Sequence, residues 1–377
     1  MLMSYLRRYK KMGHWRKQMI SILITNKCNM ACKYCYLGDK SSCDNQPKRV
    51  IDVNFAKRAI KDYFDVQARP AVRFFADGEP TLEMDIIKEL YEYSESLTNN
   101  VSYFELQSNG LFTRNDAEWI RDHMDIVFIS CDGMPSVHDF QRVSKNGNPT
   151  SPTLEENIQI MVQNPKCQVG ARATVTKYNV YKQKEMIDYF YGLGVKILFS
   201  DKVFAPIGGS AEDFNVDYKT FVDEFVEARQ YAIDKYKGDF FYGSMYSANF
   251  DEEVIYACRS CLPTPHVTPD GYISCCDMCV TAADTSMKEL IYGVYDKNLD
   301  TIFYDEKAIE HIRSRKAANI PECRDCEVRN YCAGACLGEA LNETGSFYGV
   351  KQESCDAIRY LWQKLGGKPI KNKYLHP

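Results

Sequence analysis

The amino-acid sequence predicts an α/β fold with helices outside a parallel sheet, followed by a separate cysteine-rich segment. From residue 21 onward, short apolar runs alternate with amphipathic stretches and give six successive strand–helix units. The alternation stops near residues 240–255, and ten of the sixteen cysteines follow between positions 258 and 355. The sheet is expected to be either a partial barrel or doubly wound.

The six units are recognised by their periodicity. The strand candidates are 21–25, 71–76, 103–108, 126–131, 169–175 and 195–200. The helix candidates are 53–66, 84–97, 115–123, 153–163, 180–192 and 216–236. In parallel α/β folds the chemistry collects where strands end, so residues directly after a strand are the first site candidates.

Charge and composition restrict the class of protein. A net charge of −4 and a pI of about 6.0 give no drive toward nucleic acid or membrane, and no apolar run reaches the length of a membrane span. Clustered cysteines without a secretory signal favour metal binding in a reducing cytoplasm, in an anaerobic or microaerobic host. The basic, acid-free segment 1–18 predicts a solvated helix face or strand edge, or a docking surface for an acidic peptide.

Three cysteines, Cys28, Cys32 and Cys35, lie in a cysteine loop (residues 28–35) that follows the first strand. Iron–sulfur clusters are held by thiolates, usually four, so three leave one iron open to a small molecule. Zinc is the alternative, but it takes four protein ligands, or three thiolates with histidine, and no histidine lies near this loop.

Further polar motifs follow the next strands. Gly78 and Glu79 come after the second strand. A glycine permits close backbone approach, and a carboxylate accepts hydrogen bonds from an ammonium group. A simple turn explains both residues too. The third strand ends in Gln107–Gly110 and the fourth in Ser130–Gly133. Arg142 follows, and its planar guanidinium can bind a carboxylate through two hydrogen bonds. His138 and Asp139, which lie between Gly133 and Arg142, are expected to cap the following segment. Cys43, Cys131 and Cys167 are expected to bind no metal.

The C-terminal cysteines have regular spacing. The pattern is Cys261-x9-Gly271-x4-Cys276, then Cys323-x2-Cys326-x5-Cys332-x3-Cys336, then Cys355. The first pair flanks a predicted hairpin over 267–274, with Asp270-Gly271 as its turn. Two zinc knuckles are the alternative to iron–sulfur clusters here, because Cys-x2-Cys pairs also bind zinc.

These motifs together resemble the radical S-adenosylmethionine (SAM) superfamily. The spacing Cys28-x3-Cys32-x2-Cys35, with Tyr34 before the last cysteine, resembles its signature, and the seven C-terminal cysteines match its SPASM domain. The resemblance covers roughly residues 20–365 and implies a basic extension (1–20), a partial (β/α)6 TIM-like barrel (21–245) and a SPASM domain (246–377).

The resemblance also implies the first site. Cys28, Cys32 and Cys35 would hold a [4Fe–4S] cluster whose open iron is chelated by SAM, which is cleaved to a hydrogen-abstracting 5′-deoxyadenosyl radical. Asp77 stands where the family has the first glycine of its Gly-Gly-Glu-Pro stretch. The expected SAM contacts are Tyr34, Gly78, Glu79, Asn109, Ser130, Arg142 and the Leu198 backbone.

In SPASM domains two auxiliary [4Fe–4S] clusters have interleaved ligands. The resemblance assigns Cys261, Cys276 and Cys336 to the nearer cluster, and Cys323, Cys326, Cys332 and Cys355 to the distal one. Cys258 is the candidate fourth ligand of the nearer cluster; Cys275, Cys279 or an open iron are alternatives. Asp277 is either a catalytic base with a raised pKa or a turn cap.

The resemblance predicts an enzyme that oxidises or cross-links a peptide or protein side chain, through a thioether or carbon–carbon bond. A sulfatase maturase that makes formylglycine from Cys or Ser is an alternative, and a non-catalytic zinc-binding interaction protein is another. We expect an electron donor such as flavodoxin or ferredoxin. Because only 27 residues precede Cys28, we also expect any leader-binding protein to be separate.

Overall fold

The computed structural model describes residues 19–35, 47–67, 70–98, 102–204, 212–279, 281 and 285–370. The expectations for the basic segment 1–18 and for Cys43 lie outside these residues. The chain packs as two compact units, each built from three segments. The first unit comprises Met1–Lys27, Lys48–Glu105 and Val254–Lys351, and the second comprises Cys28–Pro47, Leu106–Glu253 and Gln352–Pro377.

All six predicted strand–helix units are present, so the α/β prediction is confirmed. In chain order the elements are β1 (Ile20–Leu23), α1 (Val53–Phe64), β2 (Ala71–Phe75), α2 (Met84–Ser96), β3 (Tyr103–Ser108), α3 (Arg114–His123), β4 (Ile126–Ser130), α4 (Pro135–Gln141), α5 (Ser151–Met161), β5 (Gln168–Val175), α6 (Gln183–Gly192), β6 (Ile197–Lys202), α7 (Tyr218–Tyr236), β7 (Phe241–Gly243), β8 (His266–Val267), β9 (Tyr272–Ser274), β10 (Ile291–Asp296), β11 (Thr301–Tyr304), α8 (Glu306–Ser314), α9 (Arg329–Cys332), α10 (Leu337–Thr344) and α11 (Gln352–Lys364).

In the first unit the strand order is β11-β10-β9-β8-β1-β2. Strand β1 pairs in parallel with β2 and with β8, whereas β8 through β11 pair antiparallel. The predicted hairpin is confirmed as β8–β9, and Gly271 has the positive φ of 89° that its turn requires. Helix α1 starts at the N-cap Asp52, whose carboxylate accepts from two backbone N–H groups, and its buried face includes Phe55 and Ile60.

The second unit contains the parallel strands β4-β5-β6-β7 in that order. Strand β4 is buried from Ile126 to Ile129, as expected for a parallel strand covered on both faces. Helix α7 buries Phe221 and Phe225. Strand β3 passes from the first unit into the second. Among the described helices, none is long and apolar enough to span a bilayer.

Candidate active site

The cysteine loop is held by backbone hydrogen bonds within the second unit. The Ala31 N–H donates to the Val143 carbonyl at 2.8 Å, and the Lys33 N–H donates to the Gln141 carbonyl at 2.9 Å. These bonds fix the loop against the end of α4 and the residues directly after it, more than a hundred residues later in the sequence.

The three thiols of this loop are half-buried and free of disulfides. The Met30 N–H donates to Cys28 Sγ at 3.4 Å, so this sulfur already serves as an acceptor. Burial raises the pKa of Cys32, and the positive charge of Arg142 opposes that rise. A set of three reduced thiols, one beside a guanidinium, fits the ligand requirement of an iron–sulfur cluster.

A buried carboxylate, Asp132, is the centre of the polar network beside the loop. Its Oδ2 accepts from Tyr34 Oη at 2.5 Å and from Gln141 Nε2 at 2.9 Å. Its Oδ1 accepts from the Thr174 N–H at 2.9 Å and lies 3.0 Å from Arg142 Nε. Three hydrogen-bond donors and one ion pair therefore satisfy a side chain with no solvent exposure. Arg142 binds a carboxylate of the protein itself, and its contact with SAM stays a prediction.

His138 connects Asp132 to the backbone of Arg142. The Asp132 N–H donates to His138 Nδ1 at 3.3 Å, so the ring proton is on Nε2 and is donated to Thr150 Oγ1 at 3.0 Å. The Thr150 hydroxyl then donates to the Arg142 carbonyl at 2.8 Å. Burial lowers the pKa of His138 to about 4, which keeps the ring neutral at neutral pH.

Asp139 has the capping role that the sequence predicted. Its Oδ1 accepts from the N–H groups of Thr150 and Ser151, each at 2.8 Å, at the start of α5. The Ser151 hydroxyl donates to the other carboxylate oxygen at 2.6 Å. The segment from Asp139 to the start of α5, which carries Arg142, is thereby closed by hydrogen bonds between its two ends.

The turn after β3 is joined to the cysteine loop. Asn109 Nδ2 donates to Asn29 Oδ1 at 2.8 Å, and Asn29 Nδ2 donates to the Leu111 carbonyl at 3.2 Å. Ser130 is the half-buried last residue of β4, whereas Leu198 is fully buried within β6. The SAM contacts expected of Asn109, Ser130 and Leu198 stay predictions.

Gly78 and Glu79 lie in the first unit, where β2 is followed by a 3₁₀ turn (Pro80–Glu83). A Cβ at Gly78 would lie 1.9 Å from the Lys27 carbonyl oxygen, so only glycine fits. The Glu79 N–H donates to that carbonyl at 2.7 Å, and its carboxylate accepts from Thr81 Oγ1 at 2.6 Å. The turn interpretation is confirmed, and contact of Gly78 and Glu79 with the SAM amino group stays a prediction.

A second group of thiols lies in the first unit. Interaction with the Cys261 thiol lowers the pKa of Cys258 to about 5 against the effect of burial. A Cβ at Gly338 would lie 3.2 Å from Cys276 Sγ, so this sulfur packs against the start of α10, directly after Cys336. The assigned ligands Cys276 and Cys336 are thus brought to one place.

The remaining cysteines of the C-terminal segment have different surroundings. Cys275 and Cys279 have no solvent exposure, and Cys279 Sγ donates to the Met287 carbonyl at 3.5 Å. The Ala335 N–H donates to the Cys332 carbonyl at 3.4 Å. The other assigned ligands of the distal cluster are Cys323, Cys326 and Cys355. Cys355 lies on α11 of the second unit. Within the described part of the chain, no three Cys, His, Asp or Glu side chains converge tightly enough to hold a single metal ion.

Asp277 is surrounded by basic side chains. Arg73 Nη1 lies 2.8 Å from its Oδ2, His266 Nε2 lies 2.9 Å from its Oδ1, and Arg259 Nη2 lies 3.6 Å away. Burial alone would raise the pKa of Asp277, but these groups hold it well below its usual value. The expectation of a raised pKa is therefore wrong, because it counted burial and omitted the cations.

Sequence reasoning missed Asp132 as the centre of the first network and Arg73 as the partner of Asp277. Arg73 carried a signal: it is a charged residue inside the otherwise apolar strand β2, where a buried cation requires a carboxylate. Its second partner is Glu105, with 3.2 Å between Arg73 Nε and Glu105 Oε1. Asp132 gave no comparable signal, since it follows a strand as turn residues do.

Comparison with known proteins supports the resemblance. Residues 22–194 match the Radical SAM superfamily model. The chain is 29% identical over 181 residues to an uncharacterized protein of Methanocaldococcus jannaschii, aligning 47% of this chain with 60% of that protein. It is 26% identical over 189 residues to the serine-type anaerobic sulfatase-maturating enzyme of Bacteroides thetaiotaomicron, aligning 48% of this chain with 44% of the enzyme.

Longer alignments include the C-terminal half. The cysteine-type anaerobic sulfatase-maturating enzyme of Clostridium novyi is 21% identical over 343 residues, 84% of this chain and 87% of that enzyme. The structure of native anSMEcpe with bound AdoMet matches with a TM-score of 0.73 at 17% identity, covering 92% of this chain and 96% of that one. Streptococcus suis SuiB bound to its precursor peptide SuiA matches with a TM-score of 0.65 at 15% identity, covering 93% of this chain and 78% of that one.

The family model and the cysteine loop coincide, because residues 22–194 contain all three of its thiols. The part of the chain that carries the cysteine loop thus matches the Radical SAM superfamily model, and the chain has the fold of the anSMEcpe and SuiB structures.

Proposed function

We propose that this enzyme is a maturase that modifies a side chain of a peptide or protein substrate. The observation that carries the proposal is a second set of thiols, far in sequence from the cysteine loop, in which Cys276 packs beside the helix that follows Cys336. Similar proteins support the substrate class: SuiB was solved with a precursor peptide, and other relatives are sulfatase-maturating enzymes.

In this proposal Cys28, Cys32 and Cys35 hold the catalytic [4Fe–4S] cluster. When bound, the cluster and SAM supply the reducing power and the organic radical that abstracts a substrate hydrogen atom. The protein keeps the loop rigid through the hydrogen bond from Tyr34 to Asp132. Because Gly78 has no side chain, the Lys27 carbonyl, directly before Cys28, packs closely against it. The remaining proposed SAM contacts are Glu79, Asn109, Ser130, Arg142 and Leu198.

The C-terminal thiols are proposed to hold two auxiliary clusters. The nearer one takes Cys258, Cys261, Cys276 and Cys336, because the thiols of Cys258 and Cys261 interact. The distal one takes Cys323, Cys326, Cys332 and Cys355. Clusters held by these thiols would supply an acceptor for electrons released from the substrate. An external donor such as flavodoxin or ferredoxin would reduce the catalytic cluster, and a separate leader-binding protein would present the peptide.

We favour a thioether or carbon–carbon cross-link in a peptide as the product. Formylglycine formation in a sulfatase is the second candidate, supported by the Bacteroides and Clostridium relatives. A base at position 277 would suit that second reaction, but Asp277 is already bound by Arg73 and His266. This arrangement fits an ion-pair anchor better than a proton acceptor.

The test starts with the anaerobically reconstituted enzyme. Three four-iron clusters require about twelve irons per chain, and reduction in the presence of SAM should release 5′-deoxyadenosine. Replacing Cys28, Cys32 and Cys35 together by Ala should abolish this product while leaving about eight irons. A colourless protein with stoichiometric zinc would overturn the proposal and favour the zinc-binding alternative.

The product is decided with two substrates under the same conditions: a sulfatase peptide with the target Cys or Ser, and a candidate precursor peptide. An aldehyde that reacts with a hydrazide probe identifies formylglycine. A cross-link gives no hydrazide adduct, and mass spectrometric fragmentation stops at the bridged residues. If only the sulfatase peptide is modified, formylglycine formation replaces the peptide cross-link as the proposed reaction.

A further inference from the structure

Three aromatic side chains form a patch in the second unit, beside the edge where its parallel strands end. Phe140 lies on α4, Tyr178 follows β5, and Phe214 lies between β6 and α7. The rings of Phe140 and Tyr178 are 4.8 Å apart, edge to face, and those of Tyr178 and Phe214 are 5.5 Å apart. Phe214 is buried, whereas Phe140 and Tyr178 are 41% and 39% exposed. This aromatic patch (Phe140, Tyr178 and Phe214) thus presents two large rings to solvent.

Two lysines lie over the exposed rings. Lys33 Nζ is 3.6 Å from the centre of the Phe140 ring, and Lys177 Nζ is 5.3 Å from the centre of the Tyr178 ring. Both lysines are exposed. Neither forms an ion pair with a carboxylate of the described residues. The surface therefore combines apolar area with two cations that the described part of the chain does not pair.

The aromatic patch is joined to the cysteine loop. Lys33 belongs to that loop and directly follows Cys32, one of the proposed cluster ligands. The next residue, Tyr34, has its ring 6.0 Å from that of Phe214. Because consecutive Cα atoms are about 3.8 Å apart, the surface begins one residue away from a ligand of the proposed catalytic cluster.

This position suits a protein that delivers electrons to the cluster. Electron tunnelling weakens steeply with distance, so a donor has to bind close to its acceptor. The whole chain has a net charge of −4, so attraction of an acidic protein requires a local cationic surface. Lys33 and Lys177 supply that surface, and the exposed Asp213, directly before Phe214, opposes it only in part. Aromatic rings at the centre of an interface add apolar contact.

We propose that the aromatic patch, with Lys33 and Lys177, is the docking surface for an acidic flavodoxin. The two ammonium groups pair with carboxylates around the flavin, and the exposed rings contact the flat aromatic edge that a flavin presents. One electron passes from the reduced flavin, which is oxidised, to the catalytic cluster, which is reduced, and no bond is made or broken. The inference rests on the proposed function, which places a reducible cluster at the cysteine loop.

The test measures the affinity of the reconstituted enzyme for a flavodoxin of net negative charge, by anaerobic isothermal titration calorimetry. The wild-type affinity should fall as the salt concentration rises, because opposite charges make the contact. Phe140→Ala combined with Lys177→Glu should weaken binding at low salt by about tenfold or more. If the double variant fails to fold, Lys177→Glu alone alters one exposed side chain and should weaken binding by about threefold or more.

The matched control makes the same two changes away from the patch. Phe303→Ala replaces a ring that is 51% exposed in the first unit, and Lys166→Glu reverses an exposed charge just before β5, at the opposite end of the strand from Lys177. This control should keep the wild-type affinity. Equal flavodoxin affinity in the wild type, the patch variants and the control would overturn the proposal. A wild-type enzyme that binds an acidic ferredoxin but not the flavodoxin would overturn it as well.

Dithionite separates docking from catalysis, since it reduces the cluster without a docking surface. With dithionite the patch variants should release 5′-deoxyadenosine at the wild-type rate, whereas with limiting reduced flavodoxin the release should slow about tenfold in the double variant. Loss of peptide modification with dithionite, at unchanged flavodoxin affinity, would overturn the proposal and assign the patch to the peptide substrate. A wild-type enzyme that releases no 5′-deoxyadenosine with dithionite would contradict the proposed function alone, and the affinities would still decide the docking surface.

Discussion

Tyr34 and Asp132, 98 residues apart in the sequence, are joined by a 2.5 Å hydrogen bond from the phenol to the carboxylate. The tyrosine belongs to the cysteine loop, and the aspartate follows the fourth strand of the sheet. Because Asp132 also binds Arg142, the loop is tied to a buried ion pair. The aromatic residue before the last cysteine therefore positions the loop through its hydroxyl.

Asp132→Asn should strongly destabilise the protein. It leaves the buried Arg142 cation without its partner, which costs about 3–5 kcal/mol in the free energy of unfolding. Tyr34→Phe removes only one of the three hydrogen bonds to Asp132 and leaves the ion pair, so it should cost about 1–3 kcal/mol. Anaerobic urea unfolding followed by circular dichroism measures both, and iron analysis should show loss of the catalytic cluster in Asp132→Asn.

Tyr191→Phe is the control for the lost hydroxyl. Its phenol donates to Asp239 at 2.9 Å on the surface, so its removal should cost less than about 1 kcal/mol. Equal effects of Tyr34→Phe and Tyr191→Phe would contradict the positioning role of the Tyr34–Asp132 bond.

Gly78→Ala should distort the turn between β2 and α2. The added methyl would lie 1.9 Å from the Lys27 carbonyl oxygen, so backbone must move, at a cost of about 1–3 kcal/mol. We also expect weaker SAM binding, measured by equilibrium dialysis with the reconstituted enzyme. Gly192→Ala is the control, because it ends a helix with open space around the new methyl and should be neutral or stabilising by up to about 1 kcal/mol. Unchanged stability and SAM affinity in Gly78→Ala would contradict the close approach.

His138 predicts a pH dependence of stability. Burial places its folded-state pKa at about 4, below the value of about 6.5 in the unfolded chain. Between these values the unfolded chain binds a proton that the folded chain does not, so the free energy of unfolding falls as the pH drops from about 6.5 to about 4, by about 3 kcal/mol in total. His138→Gln should flatten this slope in urea unfolding series.

His311→Gln is the comparison for that series, because His311 lies at the surface beside Glu289. It should keep the wild-type slope. A His138→Gln protein whose stability still falls as steeply on acidification would show that other groups control the acid response.

Much of the fold was predictable because its signals are local. The six strand–helix units follow from periodicity, and the β8–β9 hairpin follows from Asp270-Gly271. The three thiols of the cysteine loop were found by spacing within one segment. Helix α4 was missed because seven residues that begin with proline give too little periodicity to recognise.

The networks around the sites were not predictable. Asp132 and Tyr34 meet only after folding, and no spacing rule relates residues so far apart. The expected pKa of Asp277 had the wrong direction for the same reason, since Arg73 and His266 come from other strands. Sequence patterns identify the donor atoms, whereas the fold determines their partners.

Arg73 and Asp277 should show strong coupling in a double-mutant cycle. Asp277→Asn leaves Arg73 with one carboxylate, Glu105, and Arg73→Met removes the cation from both. We expect a coupling energy of about 1–3 kcal/mol between the two positions in urea unfolding. If Asp277 is instead a catalytic base, Asp277→Asn should keep its stability and 5′-deoxyadenosine release but lose the modified peptide.

Cys258→Ala should remove the nearer auxiliary cluster and lower the iron content from about twelve to about eight per chain. The reason is that the Cys258 thiol interacts with that of the assigned ligand Cys261, whereas Cys279 donates to the Met287 carbonyl. Cys279→Ala should therefore retain all of its iron, as should Cys167→Ala, which replaces a buried cysteine in the second unit. If Cys279→Ala loses iron and Cys258→Ala retains it, Cys279 is the fourth ligand in place of Cys258. Full iron in both variants would instead indicate that the fourth iron is open to substrate.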